Sequence, residues 1–482
     1  MEAKPARPSA ADAHVDTHID THIDAHSSGA PPGVAHPNGA AIARYVAGAP
    51  ARPLPPEVRE AARLCLVDWV AVCTGAQAEG AAAIVRSVAQ ALHTRGRSTL
   101  LLGGEAAAAA AALANGTLAH CLDFDDTYVS ANTHTSAPVW AATLALGEEI
   151  GASEEDMLAA FVAGFETSAR VGHGLGEAVT QRGFHATGVF GRQGAAAASC
   201  ALLGLEAGAV GHALGLAATQ AGGLVGSFGT MAKPFHAGKA AMDGVLSAQL
   251  AAAGFAAATG LLETGGALER ALIQDGAHHV AAADFGRWAI LDNSIKLYAA
   301  CHLTHPAVDA ARALAPAPGR LAAIRSVRAR VGALARQVTG GKSGAPDSGL
   351  QAKFDLKYCV ALALHGRALS AADFAEPLAR DEAVLATAAK VQVEADARFG
   401  FASGEVELAF ADGQTLSLQA DPARGHPGNP VRWQDMREKF EALVEPAAGS
   451  LTGEIFDCLR SFGDGRGKGL ATIRRLSSAL QA

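Results

Sequence analysis

Charge is scarce in this chain. Only 18% of its 482 residues are charged while 50% are hydrophobic, which excludes the low-hydropathy, high-charge composition of disordered chains and leaves ample material for a core. A basic field is missing as well. The net charge is -8 and the pI about 6.1, so neither nucleic acid nor an anionic membrane is an expected partner. No run of about twenty residues is apolar enough to span a bilayer, the alanine-rich tracts at 105–114 and 194–204 being too short. The start carries neither the basic stretch nor the continuous apolar segment of a secretory signal. The seven cysteines (Cys65, Cys73, Cys121, Cys200, Cys301, Cys359, Cys458) are scattered, odd in number and without a C-x-x-C pair. A disulfide framework or structural zinc site is therefore not expected, and the chain reads as a protein of a reducing cytoplasm. A G-x-S-x-G nucleophile elbow is missing, and neither "GHGLG" at 172–176 nor "TGGKSG" at 339–344 meets the dinucleotide or phosphate-loop pattern.

What is present divides the chain into four stretches. Residues 1–38 form a His-rich leader in which His14, His18, His22 and His26 recur every four residues among Pro, Ser and Gly. Such a tail is expected to be disordered, although a helical His-x3-His spacing would suit a transition metal. Residues 39–291 carry apolar positions at spacings of three and four, broken by Gly and Pro, the pattern of a helical domain. Its wealth of Ala and Gly implies closely approaching helices. Ser153, followed by Glu154, Glu155 and Asp156, predicts a helix start. Between 292 and 428 the period shortens to two in "LAAIRSVRARVGA", "AAKVQVEADAR" and "GEVELAFADGQTLSLQA", which predicts strands, with "ADGQ" as a turn, among helices in a smaller α+β domain. Residues 429–482 return to helix and are expected to pack back on the first helical domain. The fold class is mainly α.

Against so uncharged a background, "LAHCLDFDDTYVSANTHTSAPV" at 118–139 concentrates His120, Asp123, Asp125, Asp126, Thr127 and His134. The acids fall after a helix end, where solvated loop carboxylates are ordinary. The interleaved Leu122 and Phe124, however, place Asp123 at a buried edge, three residues after His120. In "QRGFHATGVFGRQG", glycines bracket His185 ahead of a helix, a setting that permits close backbone approach and anion contact. In "MAKPFHAGKAA", Lys233, His236 and Lys239 crowd a helix start, where cations oppose the helix dipole and gain little unless an anion is bound. "SIKLYAACHLTHPAVDA" repeats the theme with Lys296, Cys301, His302 and His305, and "AKFDLKYCVALAL" sets Tyr358 at the head of an apolar helix.

These stretches, in this order and at these intervals, resemble the MmgE/PrpD family of 2-methylcitrate dehydratase, cis-aconitate decarboxylase and iminodisuccinate epimerase. The resemblance spans roughly residues 40–460. It implies a homodimer whose protomer has a large all-helical domain built from both chain ends and a smaller α+β lid, with the site between them. It also implies that no metal or organic cofactor is needed. Carried over by motif, the catalytic set is His134, Lys296, His185, Tyr358 and Asp123, and the substrate-binding set is Thr127, Lys233 and Cys301. Thr135, Ala186 and Ala299 stand where prolines are common in the family, and Cys301 stands where the animal decarboxylase has histidine. The reaction expected is cofactor-independent: a lyase or isomerase working on a small di- or tricarboxylate through a carbanion next to a carboxylate. The alternative is a non-catalytic carboxylate- or metal-binding protein that uses the leader.

Overall fold

The computed structural model describes residues 38–92, 95–340, 345–375 and 381–480. The His-x3-His leader lies outside them. The first half is helical: α1 (Asn38–Ala47), α2 (Pro56–Gly75), α3 (Gly80–Leu92), α4 (Ala108–Cys121), α5 (Ser136–Ile150), α6 (Glu154–Gly172), α7 (Gly176–Gln181), α8 (Ala186–Leu202), α9 (Ala207–Thr219), α10 (Ala232–Ala252) and α11 (Ala267–Leu272). Local chemistry sets several of these starts. Pro56 opens α2 with its φ already helical. The Ser153 side chain accepts the Asp156 N–H while the Asp156 side chain accepts the Ser153 N–H, a capping box that fixes the start of α6.

Small residues decide how the helices cross. At the α4/α10 crossing, a β-carbon on Gly116 would lie 2.9 Å from the Cα of Gly238, and one on Gly238 would lie 2.2 Å from the Leu113 carbonyl oxygen. At the α6/α8 crossing, a β-carbon on Gly164 would meet the Gly194 carbonyl at 2.6 Å. Backbones touch there because no side chain intervenes. Every residue of α4 is buried, so the helix carrying His120 runs through the middle of the bundle.

A two-residue antiparallel ladder, β1 (Ser98–Thr99) with β2 (Glu105–Ala106), interrupts the helices. The second half supplies α12 (His305–Leu314), α13 (Pro318–Leu321), β3 (Ile324–Val331), α14 (Ala333–Thr339), α15 (Gly349–Ala352), α16 (Leu356–Leu364), α17 (Glu382–Ala388), β4 (Val391–Ala395), β5 (Gly404–Phe410) and β6 (Thr415–Ala420). The strands lie in the order β4-β3-β5-β6, with β3/β4 parallel and the other pairs antiparallel. In β5 the alternating burial, with Val406, Leu408 and Phe410 inside, is the period that the sequence carries. The chain closes with α18 (Trp433–Ala448), α19 (Thr452–Arg460) and α20 (Lys468–Ala479). These pack on the N-terminal helices: the Lys439 ammonium of α18 pairs with the Asp68 carboxylate of α2, and Glu154 accepts the N–H groups of Gly463 and Leu470. From residue 38 onward the chain forms one compact unit, mainly α, and among the described residues no helix is long and apolar enough to cross a membrane.

Candidate active site

Helix α4 ends at Cys121, and the three carbonyls that follow each accept a lysine ammonium from a different part of the chain. Lys353 donates to Leu122 O at 3.0 Å, Lys296 to Asp123 O at 2.7 Å, and Lys439 to Phe124 O at 2.7 Å. A helix C-terminus is the negative end of the peptide dipoles, so cations belong there. Asp123 itself has a left-handed backbone, φ 51°, an uncommon conformation for a residue with a side chain and one that clusters at functional sites. The turn aims its carboxylate at Lys296 again and at a fourth lysine, Lys233. Its Oδ1 accepts from Lys233 Nζ at 2.7 Å and from Lys296 Nζ at 3.0 Å.

Lys296 reaches this point because the Thr127 and Ser294 backbones pair in an antiparallel bridge, with N–H to O distances of 2.8 and 3.0 Å. Lys439 completes the clamp by also donating to the Lys296 carbonyl at 3.0 Å. Four lysines thus hold one turn of chain.

Asp125 and Asp126 are not solvated loop acids. They are 1% and 0% exposed. The hydrophobic flanks Leu122 and Phe124 carry the whole loop inward, where each carboxylate must find donors. Asp125 takes His120 Nδ1 at 2.8 Å, and Asp126 takes the Ser136 N–H, the Ser136 hydroxyl and Asn293 Nδ2. Burial works to raise Asp125, and His120 and His134 more than reverse it, holding it well below the carboxylate range. For Asp126 burial wins and lifts it to about 6. Asp123 is likewise pushed up by burial but pulled well down by the Lys233 and Lys296 ammoniums.

Burial pulls the histidines of the site below their ordinary range. Burial depresses His120 to about 3 against the opposing pull of Asp125, so its Nδ1 carries the proton donated to that carboxylate. His134 is lowered by burial, with Asp125 pulling the other way. Its Nδ1 lies 3.3 Å from Asp125 Oδ2, off the hydrogen-bonding line, and its Nε2 lies 3.7 Å from Asp123 Oδ1. His185 caps α8 and is held by its N–H on Gly223 O at 2.9 Å. Its ring stacks on His120 at 5.5 Å and its Nδ1 meets that of His236 at 3.1 Å. Burial, then Lys233, drives it well below the histidine range.

One cleft, of about 540 Å³ when its opening to solvent is counted, gathers Asp123, Thr127, His134, His185, Lys233, Lys296 and Cys301. Tyr358 is not among the residues that line it. The Asp355 side chain caps α16 by accepting the N–H groups of Lys357 and Tyr358, which sets the rotation of the helix. Cys359, one residue and about 100° further round, faces the Cys301–Thr304 turn, while the Tyr358 ring lies 6.3 Å from Phe374. Burial raises the Cys301 thiol to about 11, so at neutral pH it is a small apolar wall and not a nucleophile. His302, Phe228, Phe354, Leu334, Val338 and Phe401 also line the cavity. Leu334 and Val338, four residues apart on α14, are the one pair that helical periodicity marks as neighbours; the others come from separate segments. Lys439 had a readable signal: it stands three residues after Met436 and four before Leu443, on the apolar face of α18.

His120, Asp123, Asp125 and His134 could each bring one donor atom within 4.8 Å of the others. Two ammoniums already share Asp123 Oδ1, and like charge disfavours a cation beside them, while Asp123 Oδ2 is buried without a partner.

Fold and site together define a mainly helical protein with a pocket that Lys233, Lys296, Asp123 and two histidines, His134 and His185, line. Comparison with known proteins adds a family. The N-terminal domain of MmgE/PrpD matches residues 40–280 and the C-terminal domain matches residues 298–457, and the chain belongs to the MmgE/PrpD family. Among relatives, the cis-aconitate decarboxylase of Aspergillus terreus is 27% identical over 435 residues, covering 83% of this chain and 87% of that protein. That of Mus musculus is 28% identical over 347 residues, 69% of this chain and 71% of its own. The Homo sapiens enzyme of the same name is 28% identical over 353 residues, 69% and 72% respectively.

Proposed function

We propose that the protein is a lyase of the MmgE/PrpD type that acts on a small carboxylate through a carbanion next to the carboxyl group. The observation that carries this reading is the pair of ammoniums, Lys233 and Lys296, within 3.0 Å of one buried carboxylate oxygen and beside a neutral histidine. Cations fixed where oxyanion charge develops are the largest catalytic contribution available to such a reaction. A neutral imidazole is ready to accept a proton at neutral pH, and an ammonium is ready to return one.

His134 and Lys296 are assigned as the acid/base pair. Lys233 holds the substrate carboxylate, Asp123 positions both lysines, and His185 and Thr127 orient the substrate. The Thr127 hydroxyl is buried with no partner of its own, as a ligand-binding donor would be. Tyr358 has no role in this scheme. Decarboxylation of cis-aconitate, the reaction named for the relatives, is the nearest precedent, and dehydration of a 2-methylcitrate-like acid is the other lyase outcome of the same carbanion. Epimerisation of an iminodisuccinate-like acid would follow if the carbanion were only reprotonated.

Residues 292–428 serve in this reading as a lid over the helical part, and the protein works as a homodimer. Exposed Ile84, Val88 and Leu92, four residues apart on α3, give the apolar stripe that a second copy would cover. Proton NMR of 2-methylcitrate, citrate, cis-aconitate and iminodisuccinate, each incubated with the protein in deuterated water, tests the proposal. New vinyl signals establish a lyase. Loss of a proton signal next to a carboxylate without a new compound establishes an epimerase, and no change in any of the four counts against the reading.

A further inference from the structure

Two pockets meet back to back at a pair of histidines. His185 lines the active-site cleft, and its Nδ1 lies 3.1 Å from Nδ1 of His236. His236 lines a second pocket, with Arg192, Gln220, Leu224, Phe235 and Lys239 among its other walls. That second pocket faces outward: Leu224 and Phe235 are 58% and 44% exposed among the described residues, whereas His185 is 3% exposed. Glycine makes room for the pair. A β-carbon on Gly223 would lie 3.0 Å from the His236 ring, and the Gly223 carbonyl accepts the His185 N–H at 2.9 Å, so one chain position seats both imidazoles.

A hydrogen bond between two Nδ1 atoms needs a proton on one of them, so one ring donates and the other accepts. With Nδ1 turned to its partner, each ring keeps Nε2 for its own pocket. Burial and then Lys233 hold His185 below the usual histidine range, and burial, then Lys233 and Arg192, do the same for His236. On the outer side Asp243 is engaged by Arg192 at 2.9 Å and by Lys239. An imidazole has one nitrogen to accept and one to donate, and so passes a proton in either direction.

We propose that His185 and His236 form a proton relay between the active-site cleft and solvent, with His236 as its outer member. Resting on the carboxylate reading of the cleft, the relay gives a carbanion reaction a route for its proton to leave and for one to return. On the outward leg, a proton released in the cleft bonds to His185 Nε2. The His185 Nδ1–H bond breaks as a bond to His236 Nδ1 forms, and the His236 Nε2 proton passes to water. The return leg reverses each transfer, and both rings regain their first tautomer.

Turnover of 2-methylcitrate, citrate, cis-aconitate and iminodisuccinate by His236→Asn and His236→Ala tests the relay, since asparagine keeps a hydrogen-bonding group but carries no proton through. Both variants are expected to lose roughly 100-fold in kcat, the lower end of what a positioned proton-transfer group contributes, with KM little changed. Imidazole added to His236→Ala should restore kcat in proportion to its concentration, which a merely structural role for His236 would not allow. Unchanged kcat in His236→Asn overturns the relay and leaves the carboxylate reading in place. A loss in His236→Ala that imidazole leaves untouched does the same. If the unaltered protein converts none of the four acids, the carboxylate reading fails, and nitrogen NMR of histidine-labelled protein decides the relay by itself. A coupling across the Nδ1–Nδ1 hydrogen bond, lost in His236→Asn, supports it, and absence of that coupling in the unaltered protein overturns it.

Discussion

The helix crossings and the Leu122–His134 loop solve opposite problems. At Gly116/Gly238 and Gly164/Gly194 the chain removes side chains so that backbones touch. A few residues beyond α4 it buries Asp123, Asp125 and Asp126 and then meets them with lysines from distant segments and with the nearby His120 and Ser136. The first arrangement tolerates no added atom. The second tolerates no lost charge, because removing one partner leaves the other buried and unpaired. Scarcity of charge elsewhere is what makes the second region stand out, and the two are joined physically by α4.

The comparison breaks most severely at the proton-transfer group. His134→Ala should lower turnover by about 100-fold to 10,000-fold, the usual contribution of a general acid or base, with a smaller effect on KM. Lys233→Ala should act the other way, chiefly on KM, and steady-state kinetics separates the two. Next in size is Lys439→Met. It strands Asp68 and frees the Phe124 and Lys296 carbonyls, and loss of one buried ionic partner costs about 3–5 kcal/mol. Denaturant unfolding should show that loss, and Lys439→Arg should recover part of it.

Gly238→Ala probes the uncharged region. Its methyl would meet the Leu113 carbonyl, which cannot rotate away, so overpacking should cost about 1–3 kcal/mol with little effect on the pH dependence of stability. A further test sharpens the contrast by pH alone. Asp126, at 3.8 when unfolded and about 6 when folded, is protonated more readily in the native state. Its contribution to stability is therefore full below about pH 4 and is lost as pH rises through about 6. Asp126→Asn should remove that slope from unfolding curves taken between these values, whereas a slope unchanged in the variant would show that Asp126 is not its source.

Much of this was legible before the structure. The strands from 324 to 420 follow a period of two, Ser153 begins α6 as its capping box predicts, and the dense polar loop marks the site. The rest was hidden for physical reasons. Asp125 and Asp126 looked like loop acids because sequence spacing does not show that Ser136, Asn293 and His120 arrive as partners. Tyr358 was assigned by motif, and it is not among the residues that line the cavity. Lys353 and Lys439 carry no assignment from the sequence. For Lys439 the apolar neighbours Met436, Phe440 and Leu443 are the sign that it lies inside.

The central claim is that His134, kept neutral by burial beside Asp123 and Asp125, moves a substrate proton. Deuterium incorporation from solvent into the best-bound carboxylate, followed by NMR from pH 5 to 8 for the native protein and for His134→Ala, addresses it most directly. The account predicts exchange that persists below the ordinary histidine value of about 6.5 and is lost in the variant. Exchange of undiminished rate in His134→Ala, or an acid limb above pH 7 in the native protein, would contradict it.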